Sequence, residues 1–352
     1  MKKTILGMAV LTAFASSAWA QTNVTVYGIV DAGIAYRNDG NPAGKTTSME
    51  SGQQSGSRLG FRGTEDLGGG MSAIFTVENG FSVDSGVMGQ GGRLFGRQAW
   101  VGLAGNFGNV KLGRQQTILY YAMDQLDPFH INLAGNSQKV FGYGTYAADP
   151  FQRSDNTITY TTSKIAGVIG TVSYGLGEQT GDYQANRKLG AGLSYQNGPL
   201  NLQLAYLQAN TVAAPASLAG GSTSAIGDNR AVLLGGVYDF GMLKAHLAYA
   251  DNRLSGATGN GKDRNLLAGV TVPVGVGGSL LASWIRNDGR DVSDGKSDLY
   301  AVGYSYAMSK RTNVYTSYSY LKNGDGVALN TYKDAQYGAG VRLLNVGIRH
   351  QF

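Results

Sequence analysis

Read for polarity alone, most of the chain alternates with a period of two. In residues 23–37, NVTVYGIVDAGIAYR, the apolar Val24, Val26, Val30 and Ile34 oppose Thr25, Tyr27 and Asp31. Residues 57–66 set Leu59 and Phe61 against Arg58, Gly60, Arg62 and Thr64. Leu200, Leu202, Leu204 and Tyr206 oppose Asn201 and Gln203, and Tyr300, Val302, Tyr304, Tyr306 and Met308 share one parity. Even the last residues alternate, with Leu344, Val346, Ile348 and Phe352 against Asn345, Gly347, Arg349 and Gln351. Such alternation is the mark of a half-buried strand. It predicts sixteen strands, over 24–36, 57–66, 71–82, 93–104, 109–115, 153–162, 168–175, 188–196, 200–210, 230–239, 242–252, 264–273, 279–288, 298–308, 313–321 and 341–352.

The connections alternate as well. Short ones rich in turn residues (68–70, 106–108, 163–167, 197–199, 240–242, 274–278 and 310–313) separate longer ones at 37–56, 83–92, 116–152, 176–187, 211–229, 253–263, 289–297 and 322–340. Tight turns at one end and long loops at the other are the asymmetry of an outer-membrane barrel. Lipid offers no hydrogen-bond partner to an open sheet edge, at a cost of several kcal/mol per group, so such a sheet must close. The expected fold is all-β, a sixteen-stranded antiparallel transmembrane barrel. A terminal strand that pairs with the first cannot fray, and Phe352 would sit at the membrane boundary.

Composition adds little to this and removes several alternatives. Lys2 and Lys3, the short apolar run TILGMAVLTAFA and the small-x-small Ala18-Trp19-Ala20 read as a signal peptide over 1–20, leaving a barrel domain over 21–352. The formal charge of +6 falls to about +4 without those lysines, too little to argue for nucleic acid. Cysteine is absent, and beyond the leader no apolar run reaches the length of a helical span. His130, His246 and His350 are too scattered to predict a metal site, so no metal or cofactor is expected. Residues 256–263, GATGNGKD, imitate a phosphate loop, but Asp263 replaces the Ser/Thr that would hold magnesium and no helix follows. No Ser/His/Asp set or thiol supplies a catalytic apparatus, so no enzyme is expected.

Four stretches carry a family resemblance: residues 23–34 (NVTVYGIVDAGI), 57–75 (SRLGFRGTEDLGGGMSAIF), 97–115 (RQAWVGLAGNFGNVKLGRQ) and the terminal VGIRHQF. Together they resemble the general porins of Gram-negative beta-proteobacteria, from the start of the exported chain to its end. The resemblance implies a homotrimer in the outer-membrane lipid and passive diffusion of ions and small hydrophilic solutes. It also implies a third loop folded into the bore, and a C-terminal Phe352 read by the barrel-assembly machinery. A solute-selective channel of the same build is the alternative, and the polar outer loops, 211–229 among them, could also serve an adhesin or phage receptor.

A diffusion pore needs a constriction whose charges set ion preference. Arg58 and Arg97 match the basic wall of the resembling porins, with Arg153 beside strand six, while Arg62 and Lys111 share a lumen-facing parity. On the acidic side Glu78 matches a wall acid of the resembling porins, and the resemblance brings Asp124 and Asp127 of the 116–152 loop to face the basic wall. For Arg58 there is a physical argument too, since an outward guanidinium near the bilayer midplane costs about 2–4 kcal/mol.

Overall fold

Strands account for most of the computed structural model, which describes residues 23–40, 44–141, 151–211, 227–256, 259–291, 293–329 and 338–352. The signal-peptide reading therefore lies outside the described residues. The first strands are β1 (Asn23–Asn38), β2 (Lys45–Ser51), β3 (Arg58–Gly68), β4 (Met71–Gly80), β5 (Gln98–Gly105) and β6 (Gly108–Gln116). β7 (Arg153–Thr161), β8 (Val168–Gly175), β9 (Lys188–Asn197), β10 (Leu200–Thr211) and β11 (Gly227–Asp239) follow. β12 (Lys244–Gly256), β13 (Gly259–Val274), β14 (Gly278–Gly289), β15 (Lys296–Ala307), β16 (Thr312–Asn323) and β17 (Gly340–Gln351) complete the sheet.

Each strand pairs antiparallel with its neighbour, and β1 pairs with β17, so the sheet closes. β2 and β3 both face β1, the first along Ala32–Asn38 and the second along Asn23–Ile29. They are one barrel strand interrupted at residues 52–57, which makes the seventeen segments a sixteen-stranded barrel. The outward parity is apolar: Val24, Val26, Val30 and Ile34 on β1 and Leu344, Val346 and Ile348 on β17 are all exposed. That is the surface hydrocarbon requires.

Three expectations change in detail. The strand drawn from residue 93 begins at Gln98, because 89–92 form a tight turn in which Gln90 and Gly91 have left-handed backbone. Part of the predicted 37–56 loop is strand β2, and the predicted 253–263 loop is largely taken up by the ends of β12 and β13. Polar strand ends that project beyond the membrane lose the apolar half of the alternation, so they read as loop.

Inside the barrel the wall is not uniformly polar. Leu207, Leu233, Leu267, Ile285, Leu299 and Leu321 turn inward and are fully buried. They pack with Leu119, Met123, Leu126, Val140 and Phe141 of the loop that follows β6. The hydrophobic core of this protein therefore lies within the bore, between one wall and an inserted loop.

Candidate functional site: the constricted passage

The inserted loop starts where Thr117 caps helix α1 (Ile118–Leu126), its Oγ1 accepting from the Tyr120 N–H at 3.1 Å. A second short helix, α2 (Gln138–Phe141), closes the described part of the loop. Between them the chain turns sharply, with left-handed backbone at His130, Ile131 and Leu133. Asp127 holds this turn. Its carboxylate accepts from the backbone N–H groups of Phe129 (2.8 Å), Ile131 (3.2 Å) and Ser137 (3.0 Å) and from the Ser137 hydroxyl (2.5 Å). Asp127 is fully buried, and burial pushes its carboxyl above the usual range. The expectation that it lines the constriction is therefore corrected: four donors inside the loop consume its oxygens.

Small wall residues let the loop approach. A Cβ on Gly235 would meet Leu126 at 2.7 Å, and one on Gly269 would meet Pro128 at 2.7 Å. Polar anchors complete the seating. Ala134 N–H donates to Ser317 Oγ (3.0 Å), Asn252 Nδ2 to the Phe141 carbonyl (2.8 Å), and His246 Nδ1 lies 3.0 Å from the Leu126 carbonyl.

A second inward feature went unpredicted. Residues 52–57, GQQSGS, leave the sheet and bend over Asp31. The buried Asp31 carboxylate accepts from Gln54 N–H (2.9 Å), Ser55 N–H (2.6 Å) and the Tyr315 hydroxyl (2.5 Å). The Gln53 carbonyl then accepts from Leu133 N–H at 2.7 Å, tying this break to the tip of the inserted loop. Two glycines and two serines in six residues, opposite a strand aspartate, are the sequence signal that could have found it.

Between these features runs a passage of about 1150 Å³. Arg58 and Arg349 line one wall, flanking β1 in register at Ile29 and Asp31. Arg58 Nε donates to the Gly56 carbonyl (2.8 Å), while Arg349 donates to Asn313 Oδ1 (2.9 Å) and Ser55 Oγ (2.9 Å). Among the described residues neither guanidinium has a carboxylate oxygen within 4.0 Å. Asp124 and His130 reach into the passage from the loop, with His130 Nδ1 3.0 Å from the Asp124 carbonyl oxygen. Across the bore Lys244 and Asp239 form an ion pair at 3.3 Å. Arg349, on the polar parity of the last strand, was not assigned to the constriction from sequence, although an arginine on that face could only point inward.

The other candidates separate into distinct places. Arg97 and Glu78 are both buried and paired, Nε to Oε1 at 2.6 Å, and Tyr27 donates to the other Glu78 oxygen at 2.9 Å. Arg153 lies beside them, its Nε 3.3 Å from the Arg97 carbonyl and its guanidinium 6.0 Å from the Tyr120 ring centroid. Arg62 covers the Tyr27 ring at 5.2 Å, and Lys111 lies over Trp100 at 4.5 Å. The geometry thus brings Arg58, Arg97, Arg153 and Glu78 to one sector of wall, and sets Lys111 apart from it.

A closed barrel with an apolar exterior, narrowed by an inserted loop and lined by charge, is the architecture of an aqueous membrane channel. Residues 7–326 match the Gram-negative porin family, and the chain belongs to it. An outer membrane porin of Bordetella pertussis is 35% identical and outer membrane porin protein 32 of Delftia acidovorans 32%, each covering 100% of both chains. Among solved structures, an anion-selective porin from Comamonas acidovorans is 30% identical over 94% of this chain and 100% of its own, with a TM-score of 0.82. OmpT of Vibrio cholerae, solved in a trimer form, is 18% identical with a TM-score of 0.70 over 94% of this chain and 99% of its own, and shares the fold. The protein is an outer-membrane porin, a water-filled channel for passive diffusion of small hydrophilic solutes.

Proposed function

We propose that this porin passes anions in preference to cations. The observation that carries the reading is the pair of lumen arginines, Arg58 and Arg349, with no carboxylate within 4.0 Å among the described residues. Among the other charges of the passage Lys244 is paired with Asp239, and Asp124 lies beside His130, which offsets it when protonated. Fixed positive charge in a narrow water-filled bore with low-dielectric walls raises the local concentration of anions. Similarity to a porin described as anion-selective agrees with this.

Around that core reading stand the wider ones. Residues 1–20 act as a cleaved signal peptide and 21–352 as the channel domain. The working unit is a homotrimer, as in the trimeric porin of the same fold. Phe352 is read by the barrel-assembly machinery during insertion, and the channel performs no covalent chemistry. The deciding measurement is the reversal potential across a planar bilayer in a salt gradient. The wild type should show the sign of an anion-preferring pore, and Arg58→Glu with Arg349→Glu should move it toward cations. A cation-preferring wild type, or a potential unmoved by the double variant, would overturn the assignment.

A further inference from the structure

Lys111 lies outside the main passage, in a recess of about 210 Å³ between α1 and the wall formed by β5–β10. On the wall side Trp100 and Lys111 project inward, the ammonium 4.5 Å from the indole centroid. Ile118, Tyr121 and Ala122 of α1 line the opposite side. Hydroxyls of Thr159, Thr161 and Thr171 edge the wall, and Thr171 donates to Thr161 at 3.3 Å. Among the described residues no aspartate or glutamate lines the recess, and Lys111 has no carboxylate within 4.0 Å. Gln116 and Tyr121 line both this recess and the passage, so the two adjoin.

We propose that this recess is a low-affinity subsite for small aromatic carboxylates. A cation sheltered against an aromatic face with no counter-ion favours an anion. The remaining surface fixes what kind. Trp100, Ile118 and Ala122 reward a flat apolar body, which inorganic phosphate or acetate lacks. The volume, below the roughly 300–1,000 Å³ of pockets for drug-sized ligands, admits one ring rather than two. The carboxylate would take the Lys111 ammonium and a threonine hydroxyl while the ring lies along Trp100. Such a site holds a passing solute briefly, raising its flux at low concentration and saturating at high.

The test compares benzoate, acetate and benzyl alcohol as blockers of single-channel ionic current through the purified porin. Benzoate should produce concentration-dependent interruptions that acetate and benzyl alcohol do not match. Lys111→Met should weaken the benzoate effect about tenfold, the worth of one charge-assisted hydrogen bond, and Lys111→Arg should retain it. Binding also reads out optically: 4-nitrobenzoate should quench tryptophan emission saturably, and Trp100→Leu should abolish that quenching while Trp284→Phe should not. Equal blocking by acetate or by benzyl alcohol overturns the proposal, as does saturable quenching that survives Trp100→Leu. The ligand series on the wild type decides even where a variant fails to fold. Because Arg58 and Arg349 carry the anion preference, the reversal potential can fail its own test without touching this one.

Discussion

Phe352 and Gly28 close the barrel on each other. The amide N–H of each donates to the other's carbonyl at 3.1 Å, and the Phe352 ring occupies the outward space where a Gly28 side chain would stand. The closing seam is thus complementary in shape as well as in hydrogen bonding. Gly28→Val should displace that ring and cost about 1–3 kcal/mol, the usual penalty of overpacking. Deletion of Phe352 should lose the last rung instead. Both variants should lower the yield of folded barrel, scored by heat-modifiable mobility on semi-native gels, with Gly28→Ala in between. Wild-type yield for Gly28→Val would show that the ring does not depend on this glycine.

Arg97 and Glu78, by their geometry, should act on stability rather than selectivity. Both are buried, and they are bonded at 2.6 Å. Removing one member leaves an uncompensated buried charge, for which about 3–5 kcal/mol is typical. Arg97→Met should therefore lower the denaturation midpoint strongly, and adding Glu78→Gln should recover part of the loss. The reversal potential should move less in Arg97→Met than in Arg58→Met, because Arg97 is 5% exposed and absent from the passage lining. A double variant no better than the single one would remove the pair from the stability account.

The barrel was legible because its physics repeats at every second residue. Parity alone placed Val24, Val26 and Ile34 in lipid and Asp31 inside, and the structure agrees. Parity says nothing about what an inward leucine meets. Leu207, Leu233 and Leu267 serve an inserted loop that lies far from them in sequence. The interruption at 52–57 hid for a related reason, since its cause, the Asp31 carboxylate, belongs to the neighbouring strand. Asp127 was chosen by charge, and burial gave it a different task.

The seating of the inserted loop sets the width of the pore. Pro128 approaches Gly269 and Leu126 approaches Gly235 so closely that a Cβ at either glycine would lie 2.7 Å from the loop. Gly269→Leu should push the loop out of its seat, and because its Cβ would also lie 2.9 Å from the Ala282 carbonyl of β14 it should strain that ladder locally. The expected outcome is larger or noisier single-channel conductance in the barrels that fold, with a modest loss of folded yield. Conductance equal to wild type would show that the loop absorbs the extra volume locally.

His130 should make the proposed ion preference depend on pH. Its ring lines the passage, and the hydrogen bond to Asp124 raises its pKa above the ordinary 6.5. The charged imidazolium therefore persists to higher pH than in a free histidine. As pH falls through that raised value the passage gains a positive charge, so anion preference should increase. The same shift makes a small contribution to stability, fully present below pH 6.5 and lost as pH rises through the folded value. Reversal potentials measured from about pH 8 to pH 6, across the range where histidine titrates, should drift toward anions, and His130→Gln should flatten the drift. His246 also borders the passage, but its ring is buried against the Leu126 carbonyl, so His130→Gln alone should remove most of the slope. A slope untouched by His130→Gln would show that Asp124 already fixes the charge of this part of the bore.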